Sequence, residues 1–69
     1  MRDYNYLRGM GNKIKQLRHT KKLRQKDLAD MCKLDESNLC RMEGGQVDAQ
    51  ILTLKLIADA LEVDVKYFL

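Results

Sequence analysis

The sequence predicts an all-α fold built as a single domain. Its 69 residues include no proline and only four glycines, so little in the chain interrupts a helix. Apolar residues recur at spacings of three and four along several segments, which is the period of a helix with one buried side. This length is near the lower limit for a core without disulfides or metals, so no second, catalytic or ligand-sensing domain is expected.

The first predicted helix runs from Asn12 to Thr20. Ile14 and Leu17 form its narrow apolar stripe between charged and amide side chains. The preceding residues 1–11 are predicted to be an N-terminal arm or extension. For the leading segment, residues 1–8, strand, arm and disorder all remain open.

Two short helices are predicted next, over Gln25–Cys32 and from Glu36 to about Met42. Asp35 is the expected N-cap of the second one, because a short carboxylate side chain can accept a hydrogen bond from a free backbone amide there. Gly44 and Gly45 are expected to end it, because glycine adopts the left-handed conformation without strain. The expected buried residues are Leu28, Ala29 and Cys32 in the helix Gln25–Cys32, and Leu39 and Met42 in the helix that begins at Glu36.

After a loop around residues 46–49, the longest apolar-rich stretch runs from Ile51 to Leu61. It has more apolar residues than one core-facing stripe needs. Such a helix is either buried by neighbours on two sides or shares an apolar side with another chain. The chain then closes with a short element of one or two helical turns, for which Asp64 is the expected cap.

Composition and charge indicate a globular protein with one basic side. The chain is 45% hydrophobic and 33% charged, with no apolar run of about 20 residues and no secretory leader pattern. No membrane partner is therefore expected, and the expected location is the cytoplasm, in association with the nucleoid. Residues 1–41 carry a net charge of +6 and residues 42–69 a net charge of −3, which suggests that one face binds a polyanion.

Metal, cofactor and catalytic sites find no support in the sequence. Cys32 and Cys40 lack the spacing of a zinc-binding pair, and His19 is far from both along the chain. Both cysteines are therefore expected to be small, buried or half-buried apolar residues. His19 has no nucleophile and base around it, and no phosphate-binding glycine loop is present. We expect no enzyme activity, no cofactor and no small-molecule ligand.

Two short helices joined by a turn of three or four residues form the unit that can present a helix to the major groove of DNA. The runs Leu23–Asp30 and Leu34–Gly45 resemble the Cro/repressor-type helix-turn-helix, also called the XRE family, and Ile57–Leu69 is similar to the closing helices of that family. This resemblance covers roughly residues 12–69. It implies a helix-turn-helix DNA-binding domain over those residues, folded as a compact five-helix bundle of the lambda-repressor-like type.

The resemblance also implies the residues that contact double-stranded DNA. The second helix of the motif would be the recognition helix, with Arg41 best suited to contact guanine through its two parallel donors. Gln25, at the start of the first helix of the motif, would contact a phosphate. The predicted base contacts are Glu36, Ser37, Asn38 and Arg41, and the predicted phosphate contacts are Arg24, Gln25, Lys26 and Gln46.

Further positions have a structural meaning in the family pattern. Arg18 and Glu43 match an internal salt bridge that ties the first helix to the end of the recognition helix. Lys33 and Glu62 stand where glycine is common in the family. At Lys33, in the turn between the two helices of the motif, a non-glycine residue is expected to adopt a positive φ, or the turn differs. Ala49 stands where proline is frequent.

A single recognition helix gives little specificity, so we predict a homodimer on a pseudo-palindromic operator with half-sites about 34 Å apart. The implied class is a transcriptional regulator, such as a phage repressor, a Cro-like switch or a restriction–modification controller. The alternative is a protein-interaction module of the same fold, such as an antitoxin or adaptor. The predicted dimer interface consists of Ile51, Leu54, Val65, Tyr67, Phe68 and Leu69.

Overall fold

The computed structural model describes residues 4–69, without the side chain of Tyr4. The described residues form helices and connecting turns and contain no strand, so the all-α prediction is confirmed. The predicted count of five helices is not confirmed, because the last element is a single turn of 3-10 helix. The α-helices are α1 (Tyr4–Thr20), α2 (Gln25–Cys32), α3 (Glu36–Glu43) and α4 (Ile51–Leu61), and the closing 3-10 helix is Val65–Phe68.

Helix α1 begins at Tyr4 rather than at the predicted Asn12. The described part of the expected arm, residues 4–11, is therefore helical, and the rest of the expected arm lies outside the described residues. Leu7 and Met10 are buried there and continue the stripe of Ile14 and Leu17 by one and two further turns. These additional turns form because they bury apolar surface in the same core.

The core lies between α1, α3, α2 and α4. Helix α1 packs on α3, α2 packs on both α3 and α4, and the 3-10 helix closes the bundle against α1 and α4. Asp64 accepts a hydrogen bond from the amide of Lys66 at 2.9 Å, as expected for a cap. Asp35 occupies the N-cap position of α3, but its side chain makes no capping hydrogen bond. The largest fully buried side chains are Ile14, Leu28, Leu39, Met42, Ile57, Leu61 and Phe68.

Two residues of the predicted dimer interface belong instead to the core of the single chain. Leu54 is 3% exposed and Phe68 is 1% exposed, so neither offers surface to a partner. Leu54 shares the buried side of α4 with residues three, four and seven positions further on. Phe68 points inward from the 3-10 helix because that helix covers the end of the bundle. The prediction was therefore wrong for these two residues.

Three helices end in a left-handed residue that is not glycine. Lys22, Lys33 and Glu62 have φ of 58°, 57° and 61° and follow α1, α2 and α4. At the end of α2 the amide of Lys33 donates to Asp30 at 3.2 Å and the amide of Leu34 donates to Ala29 at 2.8 Å. This is the helix ending for which glycine is preferred. The turn between α2 and α3 thus keeps the geometry expected of a glycine, at the expense of backbone strain.

Lys33→Gly is therefore expected to stabilise the protein by about 0.5–1 kcal/mol. The left-handed conformation costs roughly 1–2 kcal/mol for a residue with a Cβ, and the greater freedom of glycine in the unfolded chain offsets about 0.4–1 kcal/mol of that gain. Equilibrium unfolding in urea gives the difference. Lys33→Ala is the matched control, since it removes the same charged side chain and keeps the Cβ. A glycine variant no more stable than the alanine variant would contradict the strain at this position.

Candidate nucleic-acid interface

Helix α3 has one buried side and one exposed side. Leu39, Met42 and Glu43 face the core and are at most 5% exposed. On the opposite side, Ser37 and Arg41 lie one turn apart and are both exposed. The buried side fixes the rotation of α3 about its axis, so the sequence determines which residues α3 presents to solvent.

The predicted base-contacting residues do not all share the same exposure. Glu36, Ser37 and Arg41 are exposed, whereas Asn38 is half-buried at the edge of the helix. Cys40 is also exposed, three residues after Ser37, so the expectation that both cysteines are buried or half-buried was wrong for this one. Its spacing from Ser37 placed it on the same side of the helix and was the signal that sequence reasoning missed.

Arg24, a predicted phosphate contact, is held in an ion pair at the start of α2. Its guanidinium donates to both carboxylate oxygens of Asp27, each at 3.1 Å, and its backbone amide donates to the same carboxylate at 2.9 Å. These hydrogen bonds lower the pKa of Asp27, and the side-chain hydrogen bond to Asp27 raises the pKa of Arg24. The carboxylate therefore offsets part of the positive charge that Arg24 brings to this end of α2.

The other predicted phosphate contacts have different surroundings. Lys26 and Gln46 are exposed, Lys26 on the first turn of α2 and Gln46 in the loop after α3. Gln25 is half-buried, and its side-chain amide donates to Glu43 at 3.1 Å. The structure thus brings Gln25 to the end of α3, with one of its amide donors directed into the protein.

A buried ion pair joins α1 to the end of α3. Arg18 donates to both carboxylate oxygens of Glu43, at 2.8 and 3.0 Å, and to the carbonyl of Leu23 at 2.8 Å. Arg18 and Glu43 are 6% and 5% exposed. Together with the amide of Gln25, this cluster connects α1, the start of α2 and the last turn of α3. It therefore fixes the two helices of the candidate interface relative to α1.

Gly11 is a second point of close contact between α1 and α3. A Cβ at this position would lie 2.4 Å from the carbonyl oxygen of Met42 and 2.6 Å from that of Glu43. Both contacts are with backbone atoms, so the helices would have to move apart to accept a side chain. Sequence reasoning missed this role because it placed residues 1–11 in an arm.

The described part of the chain offers little that would support other kinds of site. Within it, no three or more His, Cys, Asp or Glu side chains cluster in a way that could hold a metal ion. No helix in residues 4–69 combines the length and apolar character needed to cross a membrane. Cys32 is buried, where its thiol contacts the carbonyl of Leu56 at 3.6 Å, and burial raises its pKa.

The α2–turn–α3 unit, packed on α1 and α4 with one side of α3 exposed, defines a helix-turn-helix protein. Residues 14–68 match the HTH_3 helix-turn-helix family, and the chain belongs to that family. The resemblance to the XRE family is therefore confirmed. The chain has the fold of XRE-type DNA-binding transcriptional regulators.

Two solved structures illustrate the likeness. The restriction-modification controller protein C.AhdI from Aeromonas hydrophila is 29% identical, with a TM-score of 0.90 and 96% of each chain covered. An HTH_3 family transcriptional regulator from Vibrio cholerae is 27% identical, with a TM-score of 0.88 over 97% of this chain. This chain spans only 38% of the Vibrio protein. Among curated protein sequences, none matches. Both of these solved structures are of regulatory proteins.

Proposed function

We propose that this protein is a transcriptional regulator that binds a pseudo-palindromic operator in double-stranded DNA as a homodimer. The observation that carries the proposal is the exposed side of α3, where Ser37 and Arg41 project from a helix held by the core and by the buried Arg18–Glu43 pair. A helix with one rigidly supported side and one exposed polar side is suited to enter the major groove. The 29% identity to a restriction-modification controller over nearly the full length of both chains supports the same class.

Arg41 is the residue best prepared to contact a base. Its side chain is exposed, and it makes no hydrogen bond or ion pair with any described residue. Its guanidinium donors are thus available, and two parallel donors match the O6 and N7 acceptors of guanine. Glu36, Ser37 and Asn38 would contact neighbouring base edges. Lys26, Gln46, Gln25 and the partly neutralised Arg24 would contact phosphates on either side of the groove.

The homodimer part of the proposal rests on exposed apolar side chains in the C-terminal half. Ile51, Tyr67 and Leu69 of the predicted interface are exposed, and Val65 is half-buried. Leu52 and Leu56, on the outer side of α4, are exposed as well and were missing from the prediction. Such residues favour a partner surface. A second copy of the chain would double the contacts with DNA, and the two-fold symmetry of the dimer would match a pseudo-palindromic operator.

Selection of bound duplexes from a random library tests the operator and the dimer together. The wild type is expected to recover a two-fold symmetric sequence, and Arg41→Ala is expected to lose preference at one symmetric pair of positions. The loss should amount to about 1–3 kcal/mol of discrimination per base pair, because a bidentate contact is removed. Arg41→Lys is the control, since it keeps the charge but not the paired donors.

The outcomes separate the candidate functions. If Arg41→Ala keeps the full preference, Arg41 does not contact a base, because a phosphate contact carries no sequence information. Recovery of a single asymmetric site would contradict the homodimer. Absence of any consensus, with weak binding that fades as salt rises, would contradict the operator and favour an antitoxin or adaptor that binds another protein through the exposed apolar residues.

A further inference from the structure

Arg8 lies directly beside the end of the recognition helix. A Cβ at Gly45, the second residue after α3, would be 2.7 Å from the Cγ of Arg8 and 2.9 Å from its Cα. Gly45 also has a φ of +72°, so this position favours glycine both for its backbone conformation and for the close approach of Arg8. The backbone of α1 at Arg8 therefore touches the loop that follows α3.

The position of Arg8 relative to α3 is fixed by a second contact. Gly11, three residues further along the same side of α1, lies against the carbonyl oxygens of Met42 and Glu43. These two contacts cover the last turn of α3 and the start of the loop. The backbone position of Arg8 is thus set by direct contacts between α1 and the end of α3.

The guanidinium of Arg8 is available to a ligand. The Arg8 side chain is exposed and makes no hydrogen bond or ion pair with any described residue. In contrast, Arg18 and Arg24 are both engaged by carboxylates. At the same helix end, the side-chain amide of Gln46 lies 3.6 Å from the position that a Cβ of Gly44 would take. The base of the Arg8 side chain and the amide of Gln46 therefore lie beside two consecutive residues, Gly45 and Gly44, at the C-terminal end of α3.

We propose that Arg8 binds a phosphate of the DNA backbone beside the groove that α3 enters, next to the phosphate contacted by Gln46. This inference rests on the proposed DNA binding and extends the interface to α1. Arg8 lies outside residues 14–68, the part of the chain that matches the helix-turn-helix family. The contact is thus a feature of the additional turns of α1, which carry the base of the Arg8 side chain to the loop.

The salt dependence of DNA binding tests this assignment. Affinity is measured between about 50 and 200 mM KCl for the wild type, Arg8→Gln, Arg8→Lys and Lys66→Gln, on the selected operator and on a scrambled duplex. Each lost phosphate contact makes the slope of log affinity against log salt shallower by about 0.9. Arg8→Gln should show this change on the operator duplex, and Arg8→Lys should retain most of the wild-type slope. Lys66→Gln removes an exposed charge from the 3-10 helix, which packs on α1 and α4, and should change nothing.

A wild-type slope in Arg8→Gln would overturn the proposal, even if that variant were less stable, because a purely structural role for Arg8 does not release counterions. An equal change in Lys66→Gln would also overturn it, since the effect would then come from net charge. Failure of the wild type to prefer the operator over the scrambled duplex would contradict the proposed function instead. The comparison of slopes on the scrambled duplex would still decide whether Arg8 contacts phosphate.

Discussion

Glu43→Ala is expected to lower the free energy of unfolding by roughly 3–5 kcal/mol, because it leaves the guanidinium of Arg18 buried without its counter-charge. Arg18 would keep only the carbonyl of Leu23 among its present partners, and the side-chain amide of Gln25 would lose its acceptor. Unfolding in urea, followed by far-UV circular dichroism, measures the loss. In a small domain a loss of this size is a large fraction of the total stability.

Two further variants make this result interpretable. Asp59→Ala breaks the exposed Lys55–Asp59 pair, whose atoms are 3.8 Å apart, and should cost no more than about 0.5 kcal/mol. The double variant Arg18→Met/Glu43→Leu removes both buried charges and should recover most of the stability lost in Glu43→Ala, since apolar side chains can replace a buried pair. A loss in Glu43→Ala as small as that in Asp59→Ala, or a double variant at least as unstable as Glu43→Ala, would contradict this account.

The helix-turn-helix was predictable because its residues satisfy local and tertiary requirements together. Leu28 and Cys32 in α2, and Leu39 and Met42 in α3, follow a helical spacing and are buried in the structure. Arg18 and Glu43, far apart in sequence, were paired through the family resemblance and form the ion pair in the structure. Periodicity alone could not have paired them, because it describes one helix at a time and not the contacts between helices.

The first turns of α1 were missed although their apolar pattern was present. Leu7 and Met10 precede Ile14 by seven and four residues, which is a helical spacing. This segment contains Gly9 and Gly11, and glycine is a poor helix former. The packing of Leu7 and Met10 in the core outweighs that preference, and the close contact between α1 and α3 gives Gly11 a positive role.

The predicted dimer surface was partly wrong because α4 is apolar on most of its sides. Sequence alone could not tell which of its residues face the core. The structure shows Leu54 buried and Leu52 exposed, two positions apart on one helix. Lys33 and Glu62, in contrast, stand where the family has glycine. A positive φ or a different turn was expected at Lys33, and the structure has a positive φ at both positions. Positions with a fixed backbone conformation were thus easier to predict than the faces of an apolar helix.

Gly11→Ala is expected to lower the free energy of unfolding by roughly 2–3 kcal/mol, because the new methyl group would collide with the backbone of α3. A Cβ at position 11 would lie within 2.6 Å of two carbonyl oxygens, and backbone atoms cannot rotate away as a flexible side chain can. The separation of α1 from α3 should also weaken DNA binding, since the last turn of α3 carries Arg41. Urea unfolding and duplex titration measure the two effects.

Gly9→Ala provides a matched control in the same helix. A Cβ at Gly9 would meet nothing within 4 Å, so alanine there changes only the helix preference and the freedom of the unfolded chain. It should stabilise the protein by about 0.5–1 kcal/mol. The same substitution, two residues apart in α1, is thus expected to act in opposite directions. If both variants were stabilised alike, α1 would not approach α3 closely at Gly11, and the contact that also holds Arg8 beside the end of α3 would be wrong.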